Sequence, residues 1–416
     1  MTTKITDANL DVIANKFINW QSVITADGST TTNLVAGRGY IIDTTSAAHT
    51  VNLPASATKG DTVVIKDYAG TFGTNAVTIN RNGHSIQGVA NNSELTTNRA
   101  SVTLVYIDST KGWLFSDEHN VGDLQLNLFT EATGGTVTTS GDWKIHTFTG
   151  DGCFSVSQVG VGSLGGPSDV DYWVLAGGGA GSGRGNRGGG GGGAGGWRES
   201  VPSPAAWSAS PLANPGGALP VSIQAYPITV GAGGAGAPGE GTGTSGSPSI
   251  FSTITSAGGG NGVGGGNGTP GGSGGGPAGI DANAPSSGNV PAVSPPQGNP
   301  SGLGDTSHVG THGGGGGGAG APGGTKNGGA GATTSITGSP LTKAGGGGGG
   351  GNSQPSGSGG SGGGTSGSGN PPGTGFSGSA PANSGSGSGG HSASPPCAGG
   401  TGNGGKGIVI IRYKYQ

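Results

Sequence analysis

Residues 172–179 read Tyr-Trp-Val-Leu-Ala-Gly-Gly-Gly, and residues 188–193 are six consecutive glycines. A strand-like apolar phrase running straight into polyglycine is the feature on which the fold turns. It recurs: glycine runs also fill Gly313–Gly318 and Gly345–Gly351, and between them stand Tyr226-Pro-Ile-Thr-Val, Ser249-Ile-Phe-Ser-Thr-Ile-Thr and Ile408-Val-Ile-Ile-Arg-Tyr. Of the 103 glycines, 13 fall in residues 1–149 and the other 90 in residues 150–416, so the chain divides into two compositional halves.

Collagen needs glycine at every third position, and here the spacing slips through pairs, triplets and longer runs, so no collagen register survives. Gly and Pro together make 128 of the 416 residues, a share that marks low-complexity chain. A flexible linker would however be monotonous and polar, whereas this half carries Tyr172, Trp173, Trp197, Trp207, Tyr226 and Tyr413 among β-favouring neighbours. The glycine half is therefore expected to fold. Each ordered residue costs about 1–2 kcal/mol of backbone entropy, and glycine lies at the costly end with no side chain to bury in return. Backbone hydrogen bonds must supply the compensation. A polyproline II-type helix makes none internally, so its N–H and C=O groups are free to bond neighbouring helices of the same form, and only glycine allows close approach on every side. The expectation is a lattice of packed polyglycine II helices framed by short strands.

The phrases Gly134-Gly-Thr-Val-Thr-Thr-Ser-Gly-Asp-Trp-Lys-Ile-His-Thr-Phe-Thr-Gly150, Tyr172-Trp-Val-Leu-Ala-Gly-Gly-Gly, Tyr226-Pro-Ile-Thr-Val-Gly-Ala-Gly-Gly, Thr334-Ser-Ile-Thr-Gly and Gly407-Ile-Val-Ile-Ile-Arg-Tyr together resemble the glycine-rich tail-fibre tip adhesins of tailed bacteriophages. The resemblance covers Phe129 to Gln416. It implies an adhesin in which a stack of polyglycine II helices holds out loops that recognise a receptor on the bacterial envelope.

Residues 1–118 read differently. Thr6 or Asp7 can cap a helix, and Leu10, Ile13, Ala14 and Phe17 follow helical spacing, which predicts one short helix over Asp7–Trp20 within an attachment segment, 1–24. Over 25–118 the period becomes two in Tyr40–Asp43, Thr50–Leu53, Thr62–Lys66, Ala76–Asn80, Ser101–Ile107 and Trp113–Phe115. Turn signals such as Asn82-Gly83 separate them. A mainly β chain follows, with a small N-terminal β-sandwich or barrel. This half resembles the small β-domains of phage fibre and tail proteins, which implies attachment to other virion proteins. Polar residues 119–128 read as a linker to the glycine-rich module, 129–416.

Other functions are disfavoured. Only 9 % of residues are charged and the formal net charge is −3, so there is no basic stripe for nucleic acid. The opening MTTKITDANLDV lacks a hydrophobic segment and no run reaches 18 apolar residues, so neither a secretory signal nor membrane insertion is expected. Assembly in a bacterial cytoplasm and residence in a virion fit that absence, and Cys153 and Cys397 are expected to be reduced. Gly183-Arg-Gly-Asn-Arg-Gly188 matches a dinucleotide fingerprint but is followed by polyglycine and not by a helix. Gly400-Thr-Gly-Asn-Gly-Gly-Lys406 lacks the Ser/Thr of a phosphate loop. Asp is too scarce for calcium repeats, and His308 and His312 stand i, i+4 in a glycine-flanked loop where that spacing does not make a metal pair. No cofactor, metal or catalytic constellation is expected, and the chain reads as no enzyme.

Recognition by loops on a rigid scaffold remains. The receptor-contact candidates are Trp197, Arg198 and Trp207 in one segment, Asp305, His308 and His312 in a second, and Phe376 and His391 in a third; for Trp197 the alternative is packing at the lattice edge. The expected protein is a tail-fibre receptor-binding component that binds an outer-membrane protein or glycan, as a homotrimer. The alternatives are a non-adhesive virion decoration, such as a head fibre or baseplate appendage, and a glycan-degrading tailspike.

Overall fold

A computed structural model describes residues 18–116, 129–160, 167–185, 187–201, 207–279, 284–305, 311–352, 354–369, 376–393 and 399–416. The chain forms two compact units, Met1–Leu128 and Phe129–Gln416. Among the described residues every regular element is a β-strand, and the chain is mainly β. Of the helix expected over Asp7–Trp20, residues up to 17 lie outside the described ones. Its last turn is not helical: Asn19–Trp20 is a strand, paired in parallel with Arg38–Asp43. The expected linker, 119–128, also lies outside the described residues.

The first unit is two sheets over one core. One carries Arg38–Asp43, Thr62–Asp67, Ser101–Asp108 and Gly112–Phe115 in that order; the other carries Thr31–Asn33, His49–Asn52, Val77–Asn80 and Ser93–Leu95. From Thr31–Asn33 to Val77–Asn80 the chain crosses from sheet to sheet at every strand. Successive strands within a sheet are therefore parallel, Arg38–Asp43 with Thr62–Asp67 and His49–Asn52 with Val77–Asn80. Antiparallel strands then finish each sheet. This is a sandwich wound as a coil, and no barrel closes. The period-two pattern explains the core: Tyr40, Ile42, Val63, Ile65, Val102 and Leu104 face Val51, Val77, Ile79 and Leu95. Asn82 and Gly83 take the left-handed conformation (φ 48° and 95°) that an Asn-Gly turn supplies at low cost.

In the second unit, a five-stranded antiparallel sheet (Glu131–Thr133, Gly152–Gln158, Ala225–Thr229, Ser249–Phe251, Ile254–Ser256) faces a six-stranded one. The larger sheet runs Thr136–Ser140, Trp143–Phe148, Ile408–Lys414, Asp169–Leu175 and Trp197–Glu199, with Leu219–Pro220 also on Asp169–Leu175. Its central strands Asp169–Leu175 and Ile408–Lys414 are buried on both faces, which is why Tyr172-Trp-Val-Leu and Ile408-Val-Ile-Ile read as continuous apolar runs. Tyr172, Val174, Val409, Ile411 and Tyr413 meet Phe154, Tyr226, Ile228 and Phe251 of the other sheet. Trp173, Leu175, Ile408 and Ile410 on the opposite face meet Trp197, Ala194, Ala319 and Ala344.

Polyglycine begins where those strands end, and the pairing does not change register. Leu175 pairs with Trp197 and with Ile408 in the sheet. Beyond it Ala176, Gly179 and Ser182 donate their N–H groups to the carbonyls of Gly196, Gly193 and Gly190, and Gly178 donates to Gly405. The step has become three residues, the repeat of the polyglycine II helix.

The run Gly188–Gly196 lies wholly buried at the centre. Its N–H groups address three neighbours in rotation: Gly189, Gly192 and Gly195 bond His391, Ser388 and Gly385; Gly190, Gly193 and Gly196 bond Val263, Gly260 and Ala257; Gly191 and Ala194 bond Gly314 and Gly317. Its carbonyls accept from three others, segments 176–182, 273–279 and 347–350. One backbone is thus held by six, donating to three and accepting from three. Glycine is obligatory for this spacing. A Cβ added at Gly189, Gly190, Gly192 or Gly195 would stand 1.9–2.2 Å from a neighbouring carbonyl oxygen. Alanine enters the run only at Ala194, where the helix faces the apolar cluster under the sheet.

Candidate recognition surfaces

The hydrogen-bond pairing gives the lattice two ends. Residues 176, 196, 257, 317, 385 and 407 lie beside the sheets, and residues 182, 188, 263, 279, 313, 350 and 391 lie at the far end. Chain connections emerge from both, and the far end brings together described residues from separate stretches of sequence, around 184, 238, 264, 305, 351, 376 and 400. Arg184 there donates from Nη1 to the Gly264 carbonyl. Asp305 donates its backbone N–H to the His312 carbonyl (3.0 Å), His312 bridges to Gly351, and Pro238 bridges to Gly400. Phe376 lies against Gly400 and is 74 % exposed, the most exposed large apolar side chain described.

The receptor-contact candidates divide between the two ends. Asp305 and His312 stand together at the far end, with side chains 3.9 Å apart and both partly exposed. Phe376 joins that end. His391 is placed there too, but is 1 % exposed and belongs to the framework: Ser368 Oγ contacts its Nδ1 at 2.9 Å, its N–H and carbonyl are both used in the lattice, and burial lowers its pKa. His308 lies outside the described residues. Trp197, Arg198 and Trp207 are at the sheet side. Trp197 is fully buried against Trp173 (centroids 4.6 Å) and donates from Nε1 to Glu199; Trp207 donates from Nε1 to Asp171. These two tryptophans pack the core and present no contact surface, whereas Arg198 is partly exposed. Cys153 is an exposed free thiol, and Cys397 lies outside the described residues.

A polar cluster at the sheet side was not anticipated. Asp171 and Arg412 are opposite one another on adjacent strands, on the face that carries Trp173 and Ile410. The Asp171 carboxylate accepts from Ser200 Oγ (3.2 Å) and Trp207 Nε1 (3.1 Å). Glu199, 1 % exposed, accepts from Trp197 Nε1 (2.9 Å) and from the N–H and hydroxyl of Ser210. Burial raises the pKa of both acids, partly offset by these donors, and burial lowers that of Arg412. Arg412 donates from Nη1 to the Ile336 carbonyl (3.0 Å) and lies 4.7 Å over the Trp143 ring. The signal was present in sequence as a charge inside an apolar strand phrase: Asp171 before Tyr-Trp-Val-Leu, Arg412 after Ile-Val-Ile-Ile.

On the other face of the sheet, His146 Nδ1 is 2.7 Å from the Gly134 carbonyl and Nε2 is 3.1 Å from the Tyr413 hydroxyl. The carbonyl requires a proton on Nδ1, so Nε2 accepts from Tyr413. Burial lowers the His146 pKa and pushes Tyr413 up to about 12, so this pair is a neutral structural link. Among the described residues no group of three or more His, Cys, Asp or Glu could hold a metal ion, and no helix is long and apolar enough to cross a membrane.

No curated protein matches the chain. The family model for the glycine-rich domain matches residues 155–414, more than half of the sequence, from the second strand of the five-stranded sheet through the lattice to the central strand of the other. The chain belongs to the glycine-rich domain family.

Proposed function

We propose that this protein is a non-catalytic adhesin, the receptor-binding tip of a bacteriophage tail fibre, and that it binds a bacterial surface receptor through the turns at the far end of its lattice. The observation that carries the reading is the convergence on that one end of residues from separate stretches of sequence, around 184, 238, 264, 305, 351, 376 and 400. Each turn starts and finishes on a helix whose backbone is fixed by its neighbours, so its residues can vary without disturbing the scaffold. Phe376 and the partly exposed pair Asp305 and His312 supply the apolar and polar contacts there. In this reading the first unit joins the tip to other virion proteins, as a homotrimer. The ordered sequence phrases shared with phage fibre tips support the assignment.

The test uses the purified full chain, fluorescently labelled, on a panel of bacterial strains with defined envelopes. Binding is expected on a subset of strains, and Phe376→Ser together with Asp305→Ala should abolish it while leaving the melting temperature unchanged. Binding that survives replacement of the turns around 303–312 and 369–377 by Gly-Ser chains of equal length would remove the far end as the recognition surface.

A further inference from the structure

A cleft of about 350 Å³ opens at the end of the six-stranded sheet where Asp169–Leu175 begins and Ile408–Lys414 finishes, remote in sequence and pairing from the far-end turns. Its lining includes the buried pair Asp171 and Arg412, the ring of Trp143, and at its rim Asp169, Pro215 and Ala218. The volume lies at the small end of ligand clefts, which run from about 300 to 1,000 Å³.

Arg412 is the group that asks for a ligand. It is 3 % exposed, its Nε has no hydrogen-bond partner, and among the described residues no carboxylate lies within ion-pair distance. Its cross-strand neighbour Asp171 is engaged by neutral donors, the Ser200 hydroxyl and the Trp207 indole. A buried donor left unmade is costly, more so on a charged group. An oxygen entering the cleft would satisfy it. The same lining presents acceptors, the carboxylates of Asp169 and Asp171, so the site offers both halves of the hydrogen bonding that a hydroxyl needs. Because both signs of charge share this lining, neither an anion nor a cation finds it complementary throughout, whereas a hydroxyl, donor and acceptor at once, can use both. Trp143 and Pro215 supply apolar surface for the C–H face of a ring.

We propose that this cleft binds a neutral saccharide, with Arg412 donating to one ring oxygen or hydroxyl and Asp169 and Asp171 accepting from adjacent hydroxyls. The inference goes beyond the tip function and does not depend on it. A glycan held here would dock the sheet side of the module, whatever the far-end turns bind.

The experiment is a titration of the isotope-labelled full chain with galactose, glucose and mannose, following the side-chain Nε–H signals of Arg412 and the indole signal of Trp143. Glucuronate and glucosamine are titrated in parallel. A saturable shift of both signals is expected with at least one neutral hexose in the millimolar range. Asp169→Ala, at the exposed rim, should weaken it about tenfold or more, and Ala218→Trp should abolish it by filling the cleft, both with unchanged melting temperature. The proposal is overturned if none of the three hexoses shifts these signals, or if only glucuronate or only glucosamine does. Retained binding in Asp169→Ala would overturn it equally, even were Ala218→Trp to fail to fold. None of these outcomes alters the binding of the chain to whole cells through its far end.

Discussion

Adding one methyl group at Gly192 should destabilise the second unit by several kcal/mol, although alanine is normally the smallest of perturbations. The Cβ would sit 2.1 Å from the Gly179 carbonyl oxygen. An ordinary contact begins near 3.4 Å, so one helix must move by about 1.3 Å. Gly192 has no free side to move towards, because its N–H bonds Ser388 at 2.8 Å, its carbonyl receives Gly347 at 2.9 Å, and the adjoining Gly193 receives Gly179 at 2.8 Å. Lengthening these by an ångström breaks them. Two or three buried bonds at about 2 kcal/mol each give a loss of about 4–6 kcal/mol. The gain from a stiffer unfolded chain, about 0.4–1 kcal/mol, does not reverse the sign. At about 2–4 °C per kcal/mol for a large domain, the melting temperature should fall by about 10 °C. Gly378→Ala is the control: it lies in the same module, with nothing within 4 Å of the added Cβ, and should change stability by less than about 0.5 kcal/mol. Denaturant unfolding of both variants, followed by circular dichroism, measures the difference. Equal stability for Gly192→Ala and Gly378→Ala would refute backbone packing as the basis of the fold.

Amide exchange should separate the same positions without mutation: Gly190, Gly191 and Gly193 exchange only with global opening of the unit, and fast exchange along that run would dismantle the lattice. Burial raises the pKa of Glu199 and Asp171, so the folded chain holds protons that the unfolded chain releases near pH 4. Their contribution is present on the acid side and is lost as pH rises from there through their raised values. Glu199→Gln should flatten that fall, which unfolding at a series of pH values reads directly. The lowered pKa values of His49, His146 and His391 act oppositely: stability is lost as pH drops below about 6.5, and His146→Gln should reduce that acid-side loss in the second unit. Iodoacetamide should label Cys153 in the native protein, since its thiol is free and exposed.

Much of the architecture was legible because it is written in period. Alternation in Thr62-Val-Val-Ile-Lys and Ala76-Val-Thr-Ile-Asn located strands of the first unit, and the unbroken apolar runs of 172–175 and 408–411 marked strands buried on both faces. Polyglycine was readable as a lattice because glycine has no side chain to bury, so backbone hydrogen bonds between neighbours have to carry the packing. Pairing direction was not readable: nothing local to Tyr40–Asp43 states that it lies parallel to Thr62–Asp67, because that depends on where the chain crosses between sheets. The end of the predicted helix at Trp20 failed because pairing with Gly39 outcompeted helical spacing. Trp197 and Trp207 had the composition of contact residues, yet glycine helices offer no side chains to fill the space under the sheet, so the tryptophans fill it. The Asp171–Arg412 cluster was hidden because its members lie 241 positions apart in sequence and meet only through strand pairing.

The three-residue rotation of partners along Gly188–Gly196 makes each glycine run a phased object. Inserting or deleting one residue within it turns everything beyond that point by a third of a revolution, so every later donor faces the wrong neighbour. A turn between helices has no phase to keep. Length variation among descendants of this chain should therefore accumulate in the turns and be purged from the runs, so that the reading frame of the fold is policed by geometry while the part that meets the outside world is free to drift.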